Sequence, residues 1–253
     1  MTKMEVMPDK LLGPVLVLTR LSAFFLILPV FGWTTVPVTI KAAMAIILSA
    51  FFSMIIPFGS IPIHPSFPEA ILLILNEAIY GLSLGLIATC IFSAVKIGGR
   101  IIEHQIGLSM AEIMDPLTGE NTQPLGSFLE MIFILLFLSA NGHHLFLSII
   151  SQSYQAFPIG SIPTIDTLAG GVVKAGSTML VAGLKLSAPI LAAFLILMVI
   201  LAIFARIVPE MNILFISLPV RVGLGLFMMA LFIPFINVFV TEFAELMGKL
   251  LPM

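Results

Sequence analysis

Few side chains in this sequence can do chemistry, because the chain of 253 residues is 60% hydrophobic and only 9% charged. Glu77, within NEAIYGLSLGL, is a carboxylate set in an apolar run and has the chemistry of a proton or cation carrier. A single buried carboxylate more often pairs with a basic neighbour. His143 and His144, in SANGHHLF, suggest metal binding or base catalysis. Adjacent residues on a helix point about 100° apart, however, and no carboxylate or cysteine lies near them in sequence. The pair reads as a structural helix end, and the zinc-protease spacing His-Glu-x-x-His is absent. No phosphate-binding glycine loop and no hydrolytic triad appears, so neither a cofactor nor a metal is implied. GLSLGL at 81–86 and GLGL at 223–226 read as small-residue faces for helix packing. Cys90 is the only cysteine, which excludes an intramolecular disulfide. A net charge of −2 argues against a nucleic-acid partner.

The most unusual stretch is IGGRIIEHQIGLSMAEIMDPLTGENTQP, residues 97–124. From Gly98 to Met114 the spacing is mostly helical: Ile97 and Ile101, then Met110 and Met114, follow i, i+4 steps, with Arg100, Glu103 and His104 on another side. Asp115 and Pro116 start a turn, and Thr118, Gly119 and Asn121 continue it, since proline fixes one dihedral and glycine permits positive φ. Two readings stand side by side. The stretch is an ordinary loop between spans, or it is a gate in which the glycines hinge and the methionines form a soft, deformable seal. Glu103, Glu112, Asp115, Glu120 and Glu130, against Lys96 and Arg100, would make such a gate tolerant of cations.

The elements that must carry these residues are apolar helices. Charge-poor runs at 21–40, 42–68, 78–95, 131–165, 186–205 and 222–241 each approach the roughly 20 residues a spanning helix needs. The fold class is therefore all-α and membrane-associated, with six segments as a first count. Six straight spans fit poorly. Arg20, Lys41, Glu77, Lys174, Lys185, Arg206 and Arg221 cut into or flank the runs, and a central charge costs about 2.5 to 3.5 kcal/mol. Lys41, Arg206 and Arg221 can snorkel to the headgroups; Arg20 and Glu77 are harder to accommodate. Pro14, Pro29, Pro37, Pro57, Pro189, Pro209, Pro219 and Pro234 lie in or beside the runs, where each removes a backbone donor and tends to end or kink a helix. Broken, re-entrant hairpins fit better, and such backbone survives at membrane depth only against protein or an aqueous cavity.

The basic residues do not orient the chain. Lys3, Lys10, Lys174, Lys185 and Lys249 fall on one face and Lys41, Lys96, Arg100, Arg206 and Arg221 on the other, an even split. The N-terminal apolar stretch stops at Arg20 with no small-residue cleavage site, so it is expected to be retained. FGSIPIHPSFPEA at 58–70 is a Pro-rich connector, and QSYQAFPIGSIPTID at 152–166 is a polar break. After that break comes a helical pair, about 168–207 and 212–249, joined at RIVPEMN.

GGRIIEHQIGLSMAEIMDPLTG, FLSANGHHLFL, FARIVPEMNILFISLPVRVGLGL and the early RLSAFFLILPVFG, with Pro37 and Lys41, together resemble the FliR family of the flagellar type III export gate. The resemblance covers essentially the whole chain, with one departure at Glu210, where the family usually carries glutamine. It implies a non-enzymatic subunit that assembles with FliP and FliQ, next to the FlhB and FlhA export components. The assembly would lie in the bacterial inner (cytoplasmic) membrane at the flagellar basal body, in contact with membrane lipid. Residues 1–165 would form P-type-like helical hairpins and residues 166–253 a Q-type-like helix pair, the join falling near 152–170. Unfolded flagellar proteins would pass through the shared pore. The segment 106–122 would plug it, with Ile106, Gly107, Leu108, Ser109, Met110, Ala111, Glu112, Ile113, Met114, Asp115 and Pro116 at the seal. Arg20, Lys41, Glu77, Arg206 and Arg221 would be charges at subunit contacts. The rival readings are a cation-coupled secondary transporter of a small solute, with Glu77 as carrier, and an intramembrane hydrolase using His143 and His144.

Overall fold

The computed structural model describes residues 6–29, 37–56, 66–107, 124–161, 165–210 and 212–250, and among them the regular structure is entirely helical. Among the described residues seven helices follow one another: α1 (Val6–Ile27), α2 (Val38–Ile55), α3 (Phe67–Ile106), α4 (Pro124–Ser139), α5 (Gly142–Ala156), α6 (Ile165–Ile207) and α7 (Ile213–Leu250). The expected C-terminal pair is present as α6 and α7. Pro14 and Pro189 sit inside α1 and α6 without ending them.

The six apolar runs do not become six spans. By length and composition, four helices among the described residues can cross a membrane: α2, α3, α6 and α7. A fifth crossing arises only if α4 and α5, bent by 76°, count as one broken span. The break within the 131–165 run falls at Asn141, which adopts φ 60° and ψ 27°. Asparagine tolerates this left-handed conformation better than most residues, so one apolar run becomes two helices. The first run, 21–40, is likewise divided, since α1 ends at Ile27 and α2 starts at Val38.

The chain forms two compact units interleaved along the sequence: Met1–Cys90, Asn141–Gly176 and Ala244–Met253 in one; Ile91–Ala140 and Ser177–Phe243 in the other. In the first unit, α3 buries Leu73, Glu77, Tyr80, Leu84, Ile87 and Ala88 along one stripe, the 3.6-residue period of a helix with one face packed. α1 answers with Leu16, Val17, Leu21 and Phe24, and α5 with Phe146, Ile149, Ile150 and Tyr154. Gly81 and Gly85 allow α1 to approach closely. A Cβ at Gly81 would collide with the carbonyl oxygen of Arg20, and one at Gly85 would lie 3.1 Å from that of Phe24. GLSLGL is thus a packing face, as its spacing suggests.

The second unit packs Phe92 against Phe133 and Phe137, with ring centroids 5.5 and 5.3 Å away. The adjacent glycines Gly98 and Gly99 are contact points inside α3 and do not act as a helix break. A Cβ on Gly98 would stand 2.6 Å from the Leu186 side chain, and one on Gly99 would stand 2.6 Å from the Gly126 Cα. Their job is close helix packing, which a hinge reading overlooks. Lys96 pairs with Glu130 at 3.4 Å. In the second glycine motif, a Cβ on Gly225 would run into Ile106, whereas Gly223 faces open space.

Candidate functional site

The described polar interior of the first unit centres on Arg20. One turn before Gly81, Glu77 reaches Arg20 of α1. Arg20 Nε donates to Glu77 Oε2 at 2.6 Å, and the two residues are 1% and 0% exposed. Arg20 also donates from Nη1 to the Ser153 carbonyl at 3.2 Å and to Ser153 Oγ at 3.3 Å, and from Nη2 to the Phe157 carbonyl at 3.1 Å. Both carbonyls lie at the C-terminal end of α5, where that of Ser153 also accepts the Phe157 amide at 2.9 Å. The other carboxylate oxygen, Glu77 Oε1, accepts from the Gly160 amide at 3.3 Å.

The sequence contains only two tyrosines, and both lie over this guanidinium, Tyr80 at 4.8 Å and Tyr154 at 4.2 Å from ring centroid to Cζ. Cation–π attraction of this kind strengthens when the site excludes water. Tyr80 stands within hydrogen-bonding distance of Ser161 Oγ, 3.3 Å, and stacks on Phe157 at 4.9 Å. The cluster therefore joins α1, α3, the end of α5 and the turn Pro158–Ser161.

Removing one member of a buried ion pair typically costs about 3 to 5 kcal/mol, because the survivor is left uncompensated. Arg20 and Glu77 need no other chain to neutralise them, since each already neutralises the other. Neither has surface to offer a neighbouring subunit. A carboxylate with both oxygens engaged and no exposure is also poorly placed to carry a solute ion.

The remaining sequence candidates are scattered. Lys41 is half-buried on α2, Arg206 is exposed near the end of α6, and Arg221 is half-buried on α7 with a buried Nε that has no hydrogen-bond partner among the described residues. His143 and His144 are exposed in the first turn of α5, their ring centroids 4.3 Å apart, so the imidazoles lean together more than simple helical geometry implies. No group of three metal-ligating residues occurs among the described residues. Of the expected plug, Ile106 is buried at the end of α3, and Gly107 closes that helix with φ 91°, its N–H donating to the Glu103 carbonyl at 3.2 Å. A glycine in this conformation is a common helix C-cap, so the described helix stops short of Met114. Leu108, Ser109, Met110, Ala111, Glu112, Ile113, Met114, Asp115 and Pro116 lie outside the described residues.

Sequence reasoning singled out Arg20 and Glu77 but not Tyr80, Tyr154, Ser153 or Gly160. One signal was available: Tyr80 follows Glu77 by three residues, which places both on one helical face.

The fold and this cluster define an all-α membrane protein whose buried polar groups tie helices to one another. The chain belongs to the bacterial export proteins, family 1, whose profile matches residues 11–247. It is 34% identical to the flagellar biosynthetic protein FliR of Bacillus subtilis (strain 168) over 220 residues, covering 85% of this chain and 83% of that protein. Against the flagellar biosynthetic protein FliR of Escherichia coli (strain K12) the identity is 30% over 234 residues, 92% of this chain and 89% of the relative. With the Aquifex aeolicus (strain VF5) protein of the same name it is 28% over 220 residues, 87% and 84% of the two chains.

Proposed function

We propose that this chain is a subunit of the flagellar type III protein export gate, forming with FliP and FliQ the pore through which unfolded flagellar proteins leave the cell. Its place is the bacterial inner membrane at the flagellar basal body, next to FlhB and FlhA. It carries out no catalysis of its own. Residues 1–165 act as a P-type-like part and residues 166–253 as a Q-type-like pair, and the segment 106–122 plugs the closed pore.

The observation that carries this reading is the length of exposed apolar helix. α6 has 43 residues, about 64 Å at 1.5 Å per residue. Its exposed apolar side chains run from Val173 through Leu184 and Ile196 to Ile207, a distance of about 51 Å, with the exposed Lys174 and Lys185 interrupting the first third. The hydrocarbon core is only about 30 Å thick, so lipid alone could cover that stretch only at a tilt of about 54°, outside the usual range of about 0 to 40°. Apolar surface left beyond the bilayer needs protein over it. In α7, only 11% of the apolar window Phe215–Phe232 is buried within the chain. A multi-subunit gate supplies the missing cover. A secondary transporter working alone does not, and its proposed carrier Glu77 is committed to Arg20 and Gly160.

Co-expression with FliP and FliQ tests the proposal. The expected result is one detergent-stable particle containing all three chains, with a mass several times that of this 27.3 kDa polypeptide. Recovery of this chain as a stable monomer from that co-expression would refute it.

A further inference from the structure

We infer that Arg20, Glu77 and Tyr80 act together as a clamp on the connection between α5 and α6, holding the turn Pro158–Ser161 in one position so that α6 starts from a fixed point. All of these residues lie in the first unit. The inference rests on their side-chain contacts and not on the export-gate reading.

The geometry of the ion pair is the first observation. An arginine and a carboxylate that serve only to neutralise each other frequently meet through two parallel N–H···O bonds. Here they share one, from Nε to Oε2. The remaining groups are turned toward the end of α5 and the residues after it. Nη1 donates to Ser153 and Nη2 to the Phe157 carbonyl, while Oε1 accepts from the Gly160 amide. Both members of the pair therefore bind the connection as well as each other.

The turn itself is the second. The Ser161 amide donates to the Pro158 carbonyl at 3.0 Å, and Gly160 has φ 86°, the positive φ that a type II turn needs at its third position. That hydrogen bond does not use the Gly160 amide, and Glu77 takes it. Tyr80 holds the turn at both ends, its ring on Phe157 and its hydroxyl 3.3 Å from Ser161 Oγ. Between them Ile159 is 2% exposed. Connections usually run over the surface and move more than the helices they join, and a glycine here would otherwise be a pivot. This one is fixed at Phe157, Ile159, Gly160 and Ser161. Positions 162–164 separate it from Ile165, the first residue of α6.

The helices around the clamp have contacts of their own. The Tyr154 hydroxyl donates to the Val17 carbonyl at 3.4 Å, Phe24 meets Phe146 edge-on at 6.1 Å, and Gly81 and Gly85 seat α3 on α1. Loss of the clamp is thus separable from loss of the fold.

Hydrogen–deuterium exchange read by mass spectrometry, on the full-length chain in mild detergent, tests this. The double variant Arg20→Met with Glu77→Met removes both charges at once, so no buried charge is left uncompensated, and it removes every bond from the pair to the connection. Peptides spanning 157–161 should exchange about tenfold to hundredfold faster, the worth of a hydrogen bond to a charged group. Peptides around Val17 and Gly85 should keep their protection. Tyr80→Phe keeps the ring on Phe157 and removes only the hydroxyl, and should speed exchange in the same turn by about two- to tenfold. The clamp is overturned if the double variant leaves the turn unchanged, because the pair would then serve neutralisation alone. It is also overturned if exchange rises equally through α1, α3 and α5. Should the double variant fail to fold, Tyr80→Phe decides: a rise confined to the turn supports the clamp, and no change overturns it.

Discussion

Arg20 and Glu77 are separated by 57 positions in sequence and meet at 2.6 Å, sealed from the surface. The pair converts two unfavourable buried charges into a joint between α1 and α3, and through Ser153, Phe157 and Gly160 it extends that joint to the end of α5 and the turn after it.

A double-mutant cycle measures this joint. Arg20→Met and Glu77→Met should each lower stability by about 3 to 5 kcal/mol, because each leaves a buried charge without its partner. The double substitution should cost much less than their sum. Denaturant unfolding in detergent supplies the four values, and additive losses would show that the two side chains are not coupled.

Glycine substitutions should sort by what a Cβ would meet. Gly81→Ala drives a methyl group into the Arg20 carbonyl and should lose folded protein, and Gly85→Ala should be milder. Gly176→Ala, with nothing within 4 Å of the added carbon, should stabilise α6 by about 0.5 to 1 kcal/mol. Thermal melts of the three variants provide the comparison.

Asn141 sets the 76° bend between α4 and α5. Asn141→Gly should be tolerated, whereas Asn141→Val should cost on the order of 1 to 3 kcal/mol, since a β-branched residue in this conformation is strained. Fluorescence-detected size exclusion reports the folded fraction.

Replacing both His143 and His144 by glutamine should leave stability within about 0.5 kcal/mol, as expected at exposed positions without buried partners. Motility on soft agar should be retained. Loss of export with the particle intact would return these imidazoles to a functional role.

Deleting Met110–Glu120 should leave the assembled complex intact and permeable to small ions. Ion flux into vesicles holding the complex is the measurement, and an unchanged flux would remove the plug assignment.

Much of the architecture was legible because it follows from local rules. Apolar runs make helices, and RIVPEMN interrupts a long helical pattern; the observed α6 and α7 lie within a few residues of the expected 168–207 and 212–249. Gly98 and Gly99 were harder to read, since a glycine pair serves a hinge or a tight contact equally well. Only the nearness of Gly126, Gly183 and Leu186 distinguishes them.

Arg20 and Glu77 were recognisable as anomalies from hydropathy alone, but not as partners. Composition and periodicity act over a turn or two of helix, so the residue order determined an all-helical membrane protein and which of its charges would be expensive. Which charge answers which was decided by tertiary packing, where Arg20 reaches Ser153 across 133 positions and Glu77 reaches Gly160 across 83. Contacts at that range depend on how closely helix backbones can approach, and that is a property of the assembled faces together.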